Sequence, residues 1–234
     1  MGSVKAVVYY TKAHHLSDVV ERPCDDRFHE MWGIFLASAH RAGLHVVHLT
    51  CGPEELECDE RFRVDGPDPE QVVLAREQCI WAYLRRQENN DWAWFIEPDS
   101  YLFKEPPEPD FPGVGTVLLR RAGDVPTNIP PGVRFHRPES WGLVQRVAEI
   151  MDAHPKAYSK VFHGDVGAWH RVCGIGKEHP PAETAFEGHR IRFIDGSPYG
   201  IDQWNTCEVM RNFKGGSKRH LLLPPGQWPK KMRP

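Results

Sequence analysis

The 234-residue chain has no run of roughly eighteen apolar residues, so no segment reads as a membrane-spanning helix. Its opening, Met1 to Tyr10, has neither the charged nor the apolar section of a secretory signal. Six cysteines (Cys24, Cys51, Cys58, Cys79, Cys173 and Cys207) are scattered without a Cys-x-x-Cys pair. Without a secretory signal they are expected as reduced thiols in the cytoplasm, not as a disulfide framework. The histidines lack the paired spacing of a zinc site. There is no Gly-x-x-x-x-Gly-Lys-Ser/Thr loop and no Gly-x-Gly-x-x-Gly after the first apolar run, which leaves P-loop and dinucleotide chemistry unsupported. A Gly-x-Ser-x-Gly elbow is missing too. The formal net charge of −3 argues against a protein whose main task is coating nucleic acid. No repeat or Gly/Ser linker divides the chain, so one domain over 1–234 is expected.

What is present alternates between two periods. Val4–Tyr10 is β-branched and aromatic, as a buried strand requires. Arg27 to Ala42 carries Phe28, Trp32, Phe35, Ala39 and Ala42 at helical spacing, with Gly43 as a stop. His45–Thr50 is a second strand. A helix from about Pro69 to Arg86 follows, with Val72, Cys79, Ile80 and Tyr83 on one stripe. Trp92–Ile96 is the next strand. This β-α-β-α-β order predicts a mostly parallel α/β sheet flanked by helices. Gly115–Arg120 and Ile191–Ile194 read as further strands, and Trp141 to Met151 as a helix. Pro126 to Pro138 holds four prolines and reads as a surface loop or lid. From Pro224 the chain reads as extended. Ligands bind beyond the carboxyl ends of parallel strands, so Thr11–His15 and Glu97–Asp99 are the first places to seek a site.

Trp94-Phe95-Ile96-Glu97-Pro98-Asp99-Ser100 places two carboxylates just past a buried strand. A hard divalent cation takes such ligands and shares them with diphosphate oxygens. Acidic residues that merely open a loop give the same pattern. Arg76 falls within the apolar stripe of its helix, where an unpaired charge is costly. It must pair with a core carboxylate or reach a site.

Leu74-Ala75-Arg76-Glu77, the helix to Arg86 and the strand ending in Glu97-Pro98-Asp99 together resemble glycosyltransferases of the GT-A fold. Glu97 stands where the usual Asp-x-Asp motif begins, and Glu77 where Asn is frequent. The resemblance covers roughly 4–105, with scattered echoes beyond. It implies a Rossmann-related fold with a nucleotide-binding half over about 1–105 and an acceptor half over about 106–234. It also implies a nucleotide-sugar donor, most readily a UDP-sugar, and Mn2+ or Mg2+ held by Glu97, Asp99 and His220. Tyr10 and Thr11 would meet the nucleoside, and Arg76 the phosphates or the acids.

Downstream, His220, three leucines and Pro224-Pro225-Gly226-Gln227-Trp228-Pro229 resemble the His…Gly…Lys-Pro-Trp ending of retaining GT-A enzymes in scrambled form. That implies a donor-closing role for Trp228; a histidine at a strand edge is the alternative. Asp202-Gln203-Trp204-Asn205 is similar to the sugar-site element of the same group, or is a helix cap. Asp165, in His163-Gly164-Asp165, resembles the acceptor-activating acid of inverting enzymes, and equally suits an N-cap. The expected activity is sugar transfer to a hydroxyl acceptor: a glycan, protein, lipid-linked sugar or hydroxylated base of phage DNA. The rivals are a nucleotidyltransferase and a non-catalytic nucleotide-sugar-binding module. Lys214, Lys218, Arg219, Lys230, Lys231 and Arg233 are expected on a solvated tail.

Overall fold

Strand β1 (Lys5–Tyr9) turns Ala6 and Val8 to one face and Val7 and Tyr9 to the other, and all four are buried. A strand apolar on both faces must be covered on both. The computed structural model describes residues 4–11, 27–120, 132–158, 164–175, 182–200, 207–213 and 217–233. It supplies both covers. Helix α1 (Phe28–Arg41) closes one face through Phe28, Met31, Trp32, Phe35 and Ala39, which recur at threes and fours. Gly43, at φ +78°, then reverses the chain, and the Leu44 N–H reaches back to the Ala39 carbonyl at 3.0 Å. Helix α2 (Val72–Arg86) covers the opposite face with α3 (Trp141–Ala153) and α4 (Gly164–Cys173).

Between these layers lies an eight-stranded sheet in the order β3-β2-β1-β4-β7-β6-β9-β8. Its other members are β2 (His45–Thr50), β3 (Glu60–Arg63), β4 (Ala93–Ile96), β6 (Thr116–Arg120), β7 (Arg134–His136), β8 (Glu183–Phe186) and β9 (His189–Asp195). The strands β3, β2, β1 and β4 run parallel, as do β6 and β9, while β7 and β8 run against their neighbours. A two-stranded ribbon of β5 (Ser100–Leu102) and β10 (Met210–Asn212) lies on the α1 side. The Leu102 N–H joins it to α1 by donating to Ser38 Oγ at 3.1 Å. The fold class is the mostly parallel, helix-flanked α/β sheet that the alternation predicts. No described helix is long and apolar enough to cross a membrane.

Three expectations are corrected. Within the proline-rich stretch 126–138, Arg134–His136 is no surface loop but the fully buried strand β7, paired on both sides; 126–131 lie outside the described residues. The basic C-terminal segment is docked, not a free tail: Leu221, Trp228 and Met232 are buried in the α1-side core and Lys218 is buried, while Arg219, Lys230 and Arg233 are exposed as expected, and Lys214 lies outside the described residues. Beyond Pro224 the chain is not simply extended but forms short 3-10 turns at Pro225–Gln227 and Lys230–Met232.

Candidate active site

Strand β4 leads into the site by simple alternation. Phe95 faces the α2 side, so Glu97, two residues on, leaves the sheet toward that same side. The register pairs Ala93 with His136 and Phe95 with Arg134, and its continuation sets Glu97 opposite Gly132. A Cβ at 132 would stand 2.5 Å from the Glu97 carboxyl carbon, so glycine is what admits the acid there. After the turn, Asp99 leads into β5, whose Ser100 pairs with Asn212 of β10. The Phe213 N–H donates to the Asp99 carbonyl at 2.8 Å and locks that register.

Asn212 thereby reaches three acceptors. Its Nδ2 donates to Glu97 Oε2 and Asp99 Oδ1, each at 3.3 Å, and to Ser100 Oγ at 3.0 Å. One amide holds both carboxylates. The Lys218 ammonium lies 3.5 Å from Asp99 Oδ2, on the short helix α5 (Lys218–Leu221).

A second network stands behind the first. Glu77 falls within the buried stripe of α2 and is fully buried. It accepts from Arg76 through Oε1 at 3.2 Å and from Arg134 of β7 through Oε2 at 2.6 Å. Arg76 also pairs with Asp165 in the first turn of α4. Arg134 Nε donates to His136 Nε2 at 2.8 Å, two residues along the same strand face. The His136 Nδ1 edge meets Thr116 Oγ1 and Ser140 Oγ, both at 3.0 Å. Burial, with the neighbouring Arg134 charge, holds His136 well below the ordinary imidazole pKa. The ring is therefore neutral: Nε2 accepts and Nδ1–H donates. Burial opposes the Arg76 charge, but Asp165, Glu77 and Glu97 outweigh it and raise its pKa. Glu97 is thus close enough to be felt at Arg76, and the two networks share one field.

Sequence comparison adds nothing: no protein-family model matches the chain, and no curated protein matches it. Comparison of folds does. A glycosyltransferase involved in glycosylating the major capsid of PBCV-1 superposes with a TM-score of 0.58 at 10% identity, over 94% of this chain and 99% of that one. The glycosyltransferase GlyE of Streptococcus pneumoniae TIGR4 gives 0.51 at 12% identity, over 86% of this chain. The match spans about half (47%) of GlyE. The fold is that of GT-A-like glycosyltransferases.

In that fold the carboxyl ends of β1 and β4 adjoin, and the structure brings together Glu97, Asp99, Arg76 and Asp165 of the expected site residues. The expected trio of metal ligands is not assembled. Among the described residues no three of His, Cys, Asp and Glu converge as metal ligands. His220 lies on α5, not at a strand edge, and from that helix it is Lys218 that reaches Asp99. Burial, then the Arg219 charge, lowers the His220 pKa. Trp228 is buried, with its ring among Tyr101, Phe103 and Phe213 and its Nε1–H on the Leu223 carbonyl at 2.9 Å. Tyr10 and Thr11 follow β1 and are buried, and the Tyr10 ring stacks on Phe28 at 3.6 Å. Asp202 lies outside the described residues, as do His14 and His15. Asn212, Gly132 and Arg134 carry no signal in the sequence that marks them as site residues, and Lys218 reads there only as part of a basic tail. Gly132 and Arg134 follow from counting across the β4–β7 register; Asn212 has only the β5–β10 pairing to reveal it.

Proposed function

We propose that the chain is a glycosyltransferase that takes a nucleotide-sugar, most readily a UDP-sugar, and transfers its sugar to a hydroxyl acceptor. The observation that carries this reading is the convergence of Glu97 and Asp99 on one amide at the carboxyl edge of β4, within a GT-A-like fold. A fold alone does not assign a reaction. The donor set does bear on it. Two carboxylate oxygens aimed at one hydrogen-bond donor also suit Mn2+ or Mg2+, which take one or two protein carboxylates and complete their shell with phosphate oxygens and water. Such a cation would neutralise charge gathering on the departing diphosphate.

The chain's own residues do the rest. Asn212 holds the two acids in register, and the Lys218 ammonium adds positive charge beside Asp99. Arg76, held by Glu77 and Asp165, offers a fixed positive charge to the phosphates from the α2 side. Charge fixed before the reaction needs no reorganisation as the bond breaks, so it favours the transition state. Asp165 bonds Arg76 through Oδ2, which leaves Oδ1 as the atom to take a proton from an acceptor hydroxyl. The nucleoside would lie past β1, beside Tyr10 and Thr11. The capsid-glycosylating neighbour supports a macromolecular acceptor as the first class to test.

Calorimetric titration of UDP and common UDP-sugars, with and without Mn2+, on wild type and Asp99→Asn tests the donor site. Metal-dependent binding that is lost in the variant is expected. Binding that is absent for every nucleotide, or indifferent to both metal and Asp99, sinks the reading and favours a degenerate binding module.

A further inference from the structure

The carboxyl edge of the sheet holds a further acid that the site above leaves unused. Strand β1 lies between β2 and β4, so its end has a neighbour on each side. Past β4 stands Glu97; past β2 stands Glu54, partly exposed. Each carboxylate is seated on a glycine. A Cβ at 52 would come within 2.8 Å of the Glu54 carboxyl carbon, just as one at 132 would meet Glu97. Thr50, the last residue of β2, holds the acid there. Its Oγ1 accepts the Gly52 N–H at 3.0 Å and donates to Glu54 Oε2 at 3.3 Å.

The same strand face carries another acceptor. His48, two residues before Thr50, is fully buried beside Trp32, and its Nε2 lies 3.3 Å from the Tyr10 carbonyl. A carbonyl only accepts, so the ring hydrogen sits on Nε2 and Nδ1 is an acceptor. Burial lowers the His48 pKa to about 4, which keeps the ring neutral. Among the described residues no donor reaches Nδ1. A buried acceptor without a donor is costly, and a ligand that brings an O–H or N–H removes that cost.

We propose that Glu54 accepts the vicinal ribose hydroxyls of the donor nucleotide, which then lies across the end of β1 with its ribose at β2 and its diphosphate at β4. This orientation rests on the nucleotide-sugar reading above. The two ends differ in chemistry. At β2 the Glu54 carboxylate and His48 Nδ1 only accept, and the carboxylate charge repels phosphate, so that end suits neutral hydrogen-bond donors. At β4 the Lys218 ammonium lies by Asp99, and Arg76 is held by Asp165, so that end suits an anion. Neighbouring strands are about 4.8 Å apart, which separates the β2 and β4 ends by roughly 10 Å. A nucleoside diphosphate bridges such a gap from its ribose hydroxyls to its phosphates. Vicinal hydroxyls also match a carboxylate, whose two oxygens meet both at once. The bond from Thr50 leaves this possible, because a carboxylate has about four acceptor sites. The N3–H of uracil is a poorer match: a single donor between two carbonyl oxygens, which repel the second carboxylate oxygen.

The test is titration of the full chain with UDP, 2′-deoxy-UDP and N3-methyl-UDP, in the presence of Mn2+. It is run on wild type and on Glu54→Gln, which keeps the shape but has one acceptor and no charge. Wild type should bind UDP at least about tenfold tighter than 2′-deoxy-UDP, the loss of one charge-assisted hydrogen bond. In Glu54→Gln that preference should shrink to about threefold or less. Glu54→Asp, which withdraws the carboxylate by one methylene, reads the same ratio should the amide fail to fold. Equal binding of UDP with and without its 2′-hydroxyl overturns the proposal and leaves the donor reading intact. A ribose preference that the variants retain in full does the same. So does discrimination against N3-methyl-UDP that Glu54→Gln abolishes while the ribose is ignored. Failure of every nucleotide to bind sinks the donor reading and this orientation together.

Discussion

Glu77 is where the fold risks most. The Glu77 and Arg134 side chains have no exposed surface, and their contact is 2.6 Å. Replacing Glu77 by Gln leaves the Arg134 guanidinium buried against a neutral amide. Breaking one side of such a pair costs about 3–5 kcal/mol. Arg134 lies 4.9 Å from the Trp169 ring centroid, a cation–π contact that retains only part of the charge's stabilisation. Arg134→Met should cost less, because Glu77 keeps Arg76 at 3.2 Å. The double variant removes both charges and should fall well short of the sum, by a coupling of about 2 kcal/mol. The assay is urea unfolding followed by tryptophan fluorescence. With a slope of about 3 kcal/mol per molar, Glu77→Gln should lower the midpoint by about 1–1.7 M. A shift below roughly 0.3 M, or strict additivity of the two substitutions, would refute the reasoning that this pair is a desolvated, mutually dependent unit.

Other outcomes follow from single contacts. Gly132→Ala should displace the Glu97 carboxyl, because its Cβ would sit 2.5 Å away; Mn2+-dependent nucleotide binding should fall at least about tenfold, read by titration. Gly200 has φ +57°, and a Cβ there would stand 2.5 Å from the Met210 carbonyl, so Gly200→Ala should destabilise by about 1–3 kcal/mol in the same urea assay. His48 is fully buried, and burial lowers its pKa from 6.5 to about 4. The unfolded chain therefore binds a proton that the folded one refuses between those values, and stability should fall by up to about 3 kcal/mol as the pH drops from 6.5 toward 4. The wild type minus His48→Gln difference isolates that slope, and a flat difference would dismiss the role. Alkylation of Cys51 by iodoacetamide should rise to half its limiting rate near pH 7, and Cys79→Ala, which has no side-chain donor, should move that midpoint upward by removing the largest cause of the lowered pKa.

Legibility followed the period of each element. Strands β1 and β2, with helices α1 and α2, announce themselves because their apolar residues repeat on both faces of a strand or along one stripe of a helix. Strand β7 did not. It follows a run of prolines, and two of its three residues, Arg134 and His136, are polar groups whose burial becomes tolerable through partners such as Glu77, Thr116 and Ser140. Its charge reads as surface until the partners are known. The ribbon strands β5 and β10 are three residues each, too short to carry a period. The motif echo at Trp228 gives no hint of its surroundings, the rings of Tyr101, Phe103 and Phe213, which make it an anchor of the C-terminal segment.

The division of charge between the two networks bears on why both exist. Behind the site, Arg76 and Arg134 face Glu77 and Asp165, two formal positive charges against two negative. Opposite charges so matched can be buried, and they hold Arg76 in place. In front, two carboxylates, Glu97 and Asp99, lie with the Lys218 ammonium, three groups whose own charges sum to −1. A dication bound there would reverse the front to +1, the sign that a diphosphate requires. The Lys218 ammonium, 3.5 Å from Asp99, offsets part of the acids' negative charge. The arrangement therefore predicts that removing the ammonium and removing the cation have opposite effects. Lys218→Met should raise affinity for Mn2+ itself by about tenfold or less, since the competing charge is mostly Coulombic and partly screened. Titration of Mn2+ alone reads this directly. Weaker Mn2+ binding in Lys218→Met than in wild type would show that the ammonium supports the cation site and that this account of the front charge is mistaken.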